Sequence, residues 1–413
     1  MKCISLACAT LLLGIPAGLA QQASRAGANA AEAAPSDAVR RALTLEQQGN
    51  FADALAAWET VVKAEPRNGR AYAQLGLLEA RQEHYEQAIA DYRKAETLNP
   101  AIPQLKLNLG LAYFKSGEFR SASKVFEAEL AKHPNGPDGA RLTILIGMSH
   151  YGAHEYEAAI PYLKKAAAAD QRNLPLRLSL AHCYLWTKQL DATLGVYKEI
   201  LEIDPDSAEA DMIAGEALDE KGEKDEAIHQ FQAAARVNPK EPNVHFGLAY
   251  LLWTLKRYDE ALPEFNAELQ NDPKNYQAML YLGDLYVRTG AYDKAREELE
   301  KAAPYEKSDP LIYLDMGIVY QEAGDTDRAA QELKETIKLE PESVNAHFRL
   351  GQVYRSMGKR DESKAEFAKA SSLNKKTDQS VHKRIADANA RPAPAASGSD
   401  TKTGAVHEQP EKP

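Results

Sequence analysis

Small side chains return along this chain every 34 residues, and large apolar ones return in step with them. Aligned on itself, the sequence divides into ten repeats beginning at Pro35, Gly69, Pro103, Ala140, Leu174, Ala208, Pro242, Tyr276, Pro310 and Val344. Every step is 34 residues except the third, which is 37. The extra residues fall in Asn135-Gly136-Pro137-Asp138-Gly139, a composition suited to a turn. Position 8 of the repeat is Ala or Gly throughout, as at Gly76, Gly147 and Gly283. Position 20 is small throughout; Thr193 and Ser363 are the two that are not alanine. Position 24 is large and apolar throughout, from Trp58 and Tyr92 to Leu333 and Phe367. Position 32 is proline in seven repeats.

The pattern predicts two antiparallel helices per repeat, one carrying position 8 and the other positions 20 and 24. Two helices approach closely only where their facing side chains are small, and overfilling such a contact costs about 1–3 kcal/mol. Proline at position 32 lacks an N–H and disfavours the helical region for its predecessor, so the second helix ends there. Gly117, Gly222, Gly290, Gly324 and Gly358 occupy position 15, between the helices, where a left-handed backbone is required. Repeats 4, 8 and 10 lack the proline and carry Gln171, Lys307 and Lys375. Position 27 holds Glu129 in repeat 3 and Glu268 in repeat 7, with Ala128 and Ala267 one place earlier. That offset predicts a slightly rotated second helix in both repeats.

This arrangement resembles the tetratricopeptide repeat family over residues 35–375. The resemblance implies an all-α, right-handed α-solenoid of about ten helix–turn–helix repeats. Residues 376–390, with Val381, Ile385 and Ala388 on one stripe, are expected to form a C-terminal capping helix. Residues 391–413 are rich in Pro, Ala, Ser and Gly and are expected to be a disordered tail. Residues 21–34 read as an Ala-rich linker.

In this family the first helix of each repeat lines a concave face through positions 2, 5, 9, 12 and 13. Carried onto this sequence, those positions nominate a partner-binding groove of Phe114, Met148, Tyr151, His182, Trp186, Glu216, Asp219, Phe246, Tyr250 and Trp253. Aromatic residues on such a face are typical anchors for a bound segment. Leu107, Ile144 and Leu178 are expected to pack between neighbouring first helices instead. The acidic step at Glu209, Glu216, Asp219 and Glu220 could receive a basic residue of a ligand or simply favour solubility. Some relatives clamp a chaperone C-terminus with Lys and Asn at positions 5 and 9; Val39, Ala73, Leu107, Leu43, Leu77 and Leu111 stand there in this chain. The asparagine ladder of other members at position 6 is represented here by Asn108 alone. The resemblance therefore implies a protein or extended-peptide partner without naming it.

Composition narrows the function further. A formal net charge of -10 argues against nucleic acid held through its phosphates. Residues 1–20 read as a signal peptide: Lys2, an apolar run from Ile4 to Ile15, then Gly18-Leu19-Ala20. The run is short for a span of about 30 Å of hydrocarbon, although retention as an anchor stays open. The expected location is exported, periplasmic or secreted, with no membrane span in the mature chain. Cleavage would leave Cys183 as the one thiol, expected to be a small buried apolar residue. His150 and His154 lie four apart, but no third ligand has matching spacing, so His150 is expected in the core with a satisfied ring nitrogen. The sequence holds no His-Glu-x-x-His, Cys-x-x-Cys, Gly-x-Ser-x-Gly or Gly-x-x-x-x-Gly-Lys motif. No catalytic, cofactor-binding or metal-binding residue is expected, and the first reading is a non-enzymatic exported scaffold serving envelope assembly, secretion or polysaccharide export. The alternatives are the substrate-recognition subunit of a glycosyltransferase-type enzyme and end-to-end self-assembly.

Overall fold

The computed structural model describes residues 36–390 apart from 133 and 135–137, with side chains up to residue 376. The expected signal peptide, linker and tail lie outside the described residues, as does most of the inserted turn after Pro134. Among the described residues every regular element is a helix, two to each repeat. Repeats 1 to 3 supply α1 (Asp37–Gln47), α2 (Phe51–Ala64), α3 (Gly69–Arg81), α4 (Tyr85–Leu98), α5 (Leu105–Lys115) and α6 (Phe119–Lys132). Repeats 4 to 6 supply α7 (Gly139–Gly152), α8 (Tyr156–Ala169), α9 (Leu174–Trp186), α10 (Leu190–Leu201), α11 (Ala208–Lys221) and α12 (Lys224–Val237). Repeat 7 supplies α13 (Val244–Thr254) and α14 (Tyr258–Asn271), and repeat 8 supplies α15 (Tyr276–Arg288) and α16 (Tyr292–Ala302). The last four are α17 (Pro310–Glu322), α18 (Thr326–Leu339), α19 (Val344–Ser356) and α20 (Arg360–Ala390). The helices form two compact units that divide between Leu255 and Lys256, in the turn of the seventh repeat.

Each hairpin closes on its small positions. A methyl group added to Gly76 would stand 2.8 Å from the Tyr92 ring, and one on Gly283 or Gly317 would stand 2.8 Å from Leu299 or Leu333. Gly110 meets Phe126 in the same way. The large side chain at position 24 therefore lies on the position-8 backbone itself. Ala88, Ala122, Ala159, Ala295 and Ala329, at position 20, are all fully buried. The two exceptions are accommodated by hydrogen bonds. Ser363 Oγ donates to the Gly351 carbonyl across the hairpin at 2.8 Å, and Thr193 Oγ1 donates back along its own helix to the Gln189 carbonyl at 3.2 Å.

Position 15 adopts the left-handed backbone whether or not it is glycine. Gly117, Gly222, Gly290, Gly324 and Gly358 have φ between 74° and 85°. Glu83, His154, Lys188 and Lys256, the same position in repeats 2, 4, 5 and 7, sit there too, with φ from 60° to 64°. For a residue with a Cβ that conformation costs about 1–2 kcal/mol.

Helix ends follow local chemistry. Asn68, Asn173, Ser207, Asn275 and Asp309 each accept a backbone N–H in the first turn of the following helix, so α3, α9, α11, α15 and α17 begin at position 1. Ile102 and Glu241 stand at the equivalent place before repeats 3 and 7, and there α5 and α13 begin two residues later, behind a left-handed Gln104 and Asn243. The three repeats without the proline end differently. Buried Arg177 donates to the carbonyls of Asp170 at 3.1 Å and Ala167 at 3.4 Å, closing the end of α8. Pro304 follows α16, which stops early at Ala302. Nothing stops the last second helix, so α20 runs from Arg360 to Ala390 as one element. The separate capping helix expected over 376–390 is thus its continuation.

The rotation expected from position 27 does not occur. Ala128 is exposed while Glu129 is partly covered, and Glu268 is buried, with Asn275 Nδ2 donating to its Oε1 at 3.0 Å. The second helices keep their register and the glutamate enters the position reserved for a small residue.

In the second unit two buried carboxyls meet on neighbouring first helices. Asp284 on α15 accepts from Arg288 Nε at 2.5 Å, and Asp315 on α17 lies beside it. Burial first, and the Asp284 charge second, push Asp315 well above the usual carboxylate range, opposed by Arg288. Asp315 therefore keeps its proton to higher pH than an ordinary carboxyl does.

Two stability outcomes follow from these positions. Glu83→Gly should raise, and Gly117→Ala lower, the stability of the chain by about 1 kcal/mol each, read from urea unfolding, because neither site has packing to lose or gain. Asp315 holds its proton in the folded chain but releases it near pH 4 (about 3.9) when unfolded. Its contribution is fully present below that value and is lost as pH rises towards the folded value. Asp315→Asn, which does not titrate, should therefore gain on the wild type in thermal midpoint as pH rises above about 4; a constant difference would contradict the assignment.

Candidate partner-binding face

All ten nominated groove residues fall in the first unit. Within it α3 meets α5, α7 meets α9, and α11 packs between α9 and α13. Among the described residues the second helices of neighbouring repeats pack on one another less or not at all. A stack whose first helices touch is shorter on that side, so the first helices form the inner face of this unit. Leu107 and Leu178 are buried along it and Ile144 packs against the same core, as expected of residues seated between first helices.

The aromatic residues of repeats 3 to 5 form one contiguous layer. Phe114 meets Phe119 edge-on at 5.4 Å between centroids, and Phe119 lies against Gly152 of the next repeat. Tyr151 stands 5.9 Å from Trp186. Trp186 meets a tilted Tyr156 at 4.4 Å and a stacked His182 at 4.9 Å. On α13, Phe246, Tyr250 and Trp253 stack in a row, with centroid spacings of 6.0 Å and 5.8 Å. Trp186, Tyr151, Phe246 and Trp253 are half-buried and Tyr250 is exposed. Met148 is the correction: it is 6% exposed, in the core between α7 and its neighbours, because position 9 of repeat 4 faces the adjoining hairpin. It offers no surface to a partner.

Between the two aromatic surfaces lies the acidic step on α11. Its carboxylates are mostly answered within the chain. Glu209 Oε1 lies 3.2 Å from His182 Nε2. Lys188 pairs with Glu220 and Lys224 with Asp219. Asp219 is therefore not a free acceptor for a ligand cation. Glu216 makes no ion pair among the described residues. Burial pushes its carboxyl up, with His182 the main opposing charge. The Nδ1 atom of His182 is buried without a hydrogen-bond partner.

The remaining chemical candidates are structural. His150 is buried, with Nδ1 2.9 Å from Glu155 Oε2 and Nε2 3.0 Å from Glu127 Oε1, which satisfies both ring nitrogens. His154 bonds Tyr156 OH at 2.6 Å from the left-handed turn. Cys183 is fully buried and its thiol is pushed up to about 12 by burial, which makes it inert at neutral pH. Among the described residues no three His, Cys, Asp or Glu side chains could hold a metal ion, and no helix is long and apolar enough to cross a membrane.

Tyr156 and Phe119 were not legible as groove residues. Both occupy position 17, the first residue of a second helix, which also holds Phe51, Tyr85, Tyr258 and Tyr292. That recurrence was the available signal. The lysines that neutralise the acidic step come from turns and a second-helix start, where no periodic pattern points at α11.

Two family models, each described as tetratricopeptide repeat, match the chain. One covers residues 39–103, 107–173 and 214–276, and the other 150–216, 252–314 and 320–385. Superkiller protein 3 of Schizosaccharomyces pombe is 28% identical over 126 residues, 30% of this chain and 9% of that protein. The peroxisomal targeting signal receptor of Kluyveromyces lactis is 20% identical over 208 residues, 50% of this chain and 36% of that protein. The chain spans well under half the length of either. Among solved structures, a tetratricopeptide repeat protein from Parabacteroides merdae is 20% identical, with a TM-score of 0.45, covering 60% of this chain and 97% of that one.

The Trp186–Tyr156 contact should be worth about 0.5–1.5 kcal/mol beyond the area it buries. A double-mutant cycle with Trp186→Leu and Tyr156→Leu, read by urea unfolding, should return a coupling of that size; strictly additive effects would show that the rings do not rest on each other.

Proposed function

We propose that this chain, which belongs to the tetratricopeptide repeat family, is a non-enzymatic exported scaffold that holds a protein or extended peptide against the inner face of its first unit. Proteins of this family mediate protein–protein interactions. The observation that carries the reading is the solvent-reachable aromatic surface on that face: Tyr151 and Trp186 on one side of α11, and Phe246, Tyr250 and Trp253 on the other. Flat, amphipathic rings held by their neighbours give contact area at little further entropic cost, which is why such residues dominate binding energies. A relative named as a targeting signal receptor supports recognition of a protein segment as the task. The signal-peptide pattern of residues 1–20 supports work outside the cytoplasm, in envelope assembly, secretion or polysaccharide export.

The test is affinity capture from native envelope extract with the wild type and with Trp186→Ala/Trp253→Ala. Loss of about tenfold or more of the captured partner is expected from removing two anchors, with helicity by circular dichroism unchanged. Equal recovery by both proteins would remove the groove proposal.

A further inference from the structure

Among the described residues, every carboxylate on α11 but one has a partner within the chain. Glu209 faces His182, Asp219 has Lys224, and Glu220 has Lys188. Glu216, between them on α11, has no cation within ion-pair distance among the described residues and is half-buried. A carboxylate that gives up part of its hydration without gaining a partner is costly. It is flanked on α9 by the Trp186 stack and on α13 by the Phe246–Tyr250–Trp253 row. Beside it, His182 spends Nε2 on Glu209 and leaves Nδ1 without a partner. A carboxylate without an ion pair, a ring atom without a hydrogen bond and aromatic surfaces on both sides together describe a complement: a cation carried by a backbone, with apolar groups before and after it.

We propose that the occupant of this face is an extended peptide segment carrying an arginine or lysine whose cation settles on Glu216, with apolar neighbours on Trp186 and on the α13 row. This rests on the groove reading and adds the partner's chemistry. A guanidinium is weakly hydrated and stacks on aromatic faces, so arginine fits best. The charges facing Glu216 are His182 and Lys188, which favour its ionised form, and Asp219 and Glu220, which oppose it. Because burial holds its pKa up, the carboxyl takes up a proton as pH falls, and the preference for a basic ligand weakens on acidification.

The probe is a phage-displayed library of random 12-residue peptides, panned on the full chain, on Glu216→Gln and on Trp186→Ala/Trp253→Ala. The wild type should enrich peptides with Arg or Lys between apolar residues, and Glu216→Gln should lose that enrichment while melting at or above the wild-type temperature. An enriched peptide with arginine should bind about tenfold more tightly than its citrulline analogue to wild type, as a charged hydrogen bond requires. The two should bind Glu216→Gln alike. Enrichment without basic residues, basic enrichment that survives in Glu216→Gln, or no enrichment would overturn the proposal. Non-basic peptides lost by the double tryptophan variant would leave the groove reading standing. The same peptides enriched by wild type and by that variant would overturn the groove reading itself.

Discussion

The structure depends on the distance between two helices at position 8. Where that residue is glycine, the side chain at position 24 of the second helix rests on bare backbone, as Leu299 does on Gly283 and Phe126 on Gly110. Position 20 must then be alanine, or a hydroxyl residue whose polar atom finds a carbonyl, as Ser363 and Thr193 do. Once the pair is locked, the buried faces of both helices are determined. What remains of the first helix is turned away from its own hairpin, and that remainder is what a partner can reach.

A constraint so local leaves the rest of each repeat free to vary. The second helix can be stopped by a proline, by the guanidinium of Arg177, or not at all, as α20 shows. A left-handed turn residue can be glycine or bear the strain of a side chain, as Glu83 and Lys188 do. The same freedom lets repeats 4, 5 and 7 carry Tyr151, Trp186 and Trp253 while repeat 6 carries acids at corresponding places. The scaffold repeats and its inner face does not, which is the condition for one array to recognise a particular segment.

The fold was legible because positions 8, 20 and 24 obey one packing rule ten times over. Helix starts were less so. Position 34 acts as the cap, and where Ile102 or Glu241 replaces Asn, Ser or Asp the next helix begins late. On the inner face of the first unit the aromatic residues could be read from their positions, but their exposure could not. Met148 and Trp186 are both large residues on first helices, and only the neighbouring hairpin decides that one is core and the other is not. The answers to Asp219 and Glu220 come from Lys224 and Lys188, long side chains on turns and helix starts whose reach no periodicity encodes.

The close approach of the two helices is tested most directly by an energetic cycle in the eighth hairpin, with Gly283→Val, Leu299→Ala and the double variant compared by equilibrium unfolding. The side chain introduced by Gly283→Val must push Leu299 aside, whereas shortening Leu299 makes room for it. The double variant should therefore be more stable than the sum of the single losses allows, by about 1 kcal/mol or more. Additive losses would mean that the side chain at position 24 does not rest on position 8, and the hairpins would have to be held together in some other way.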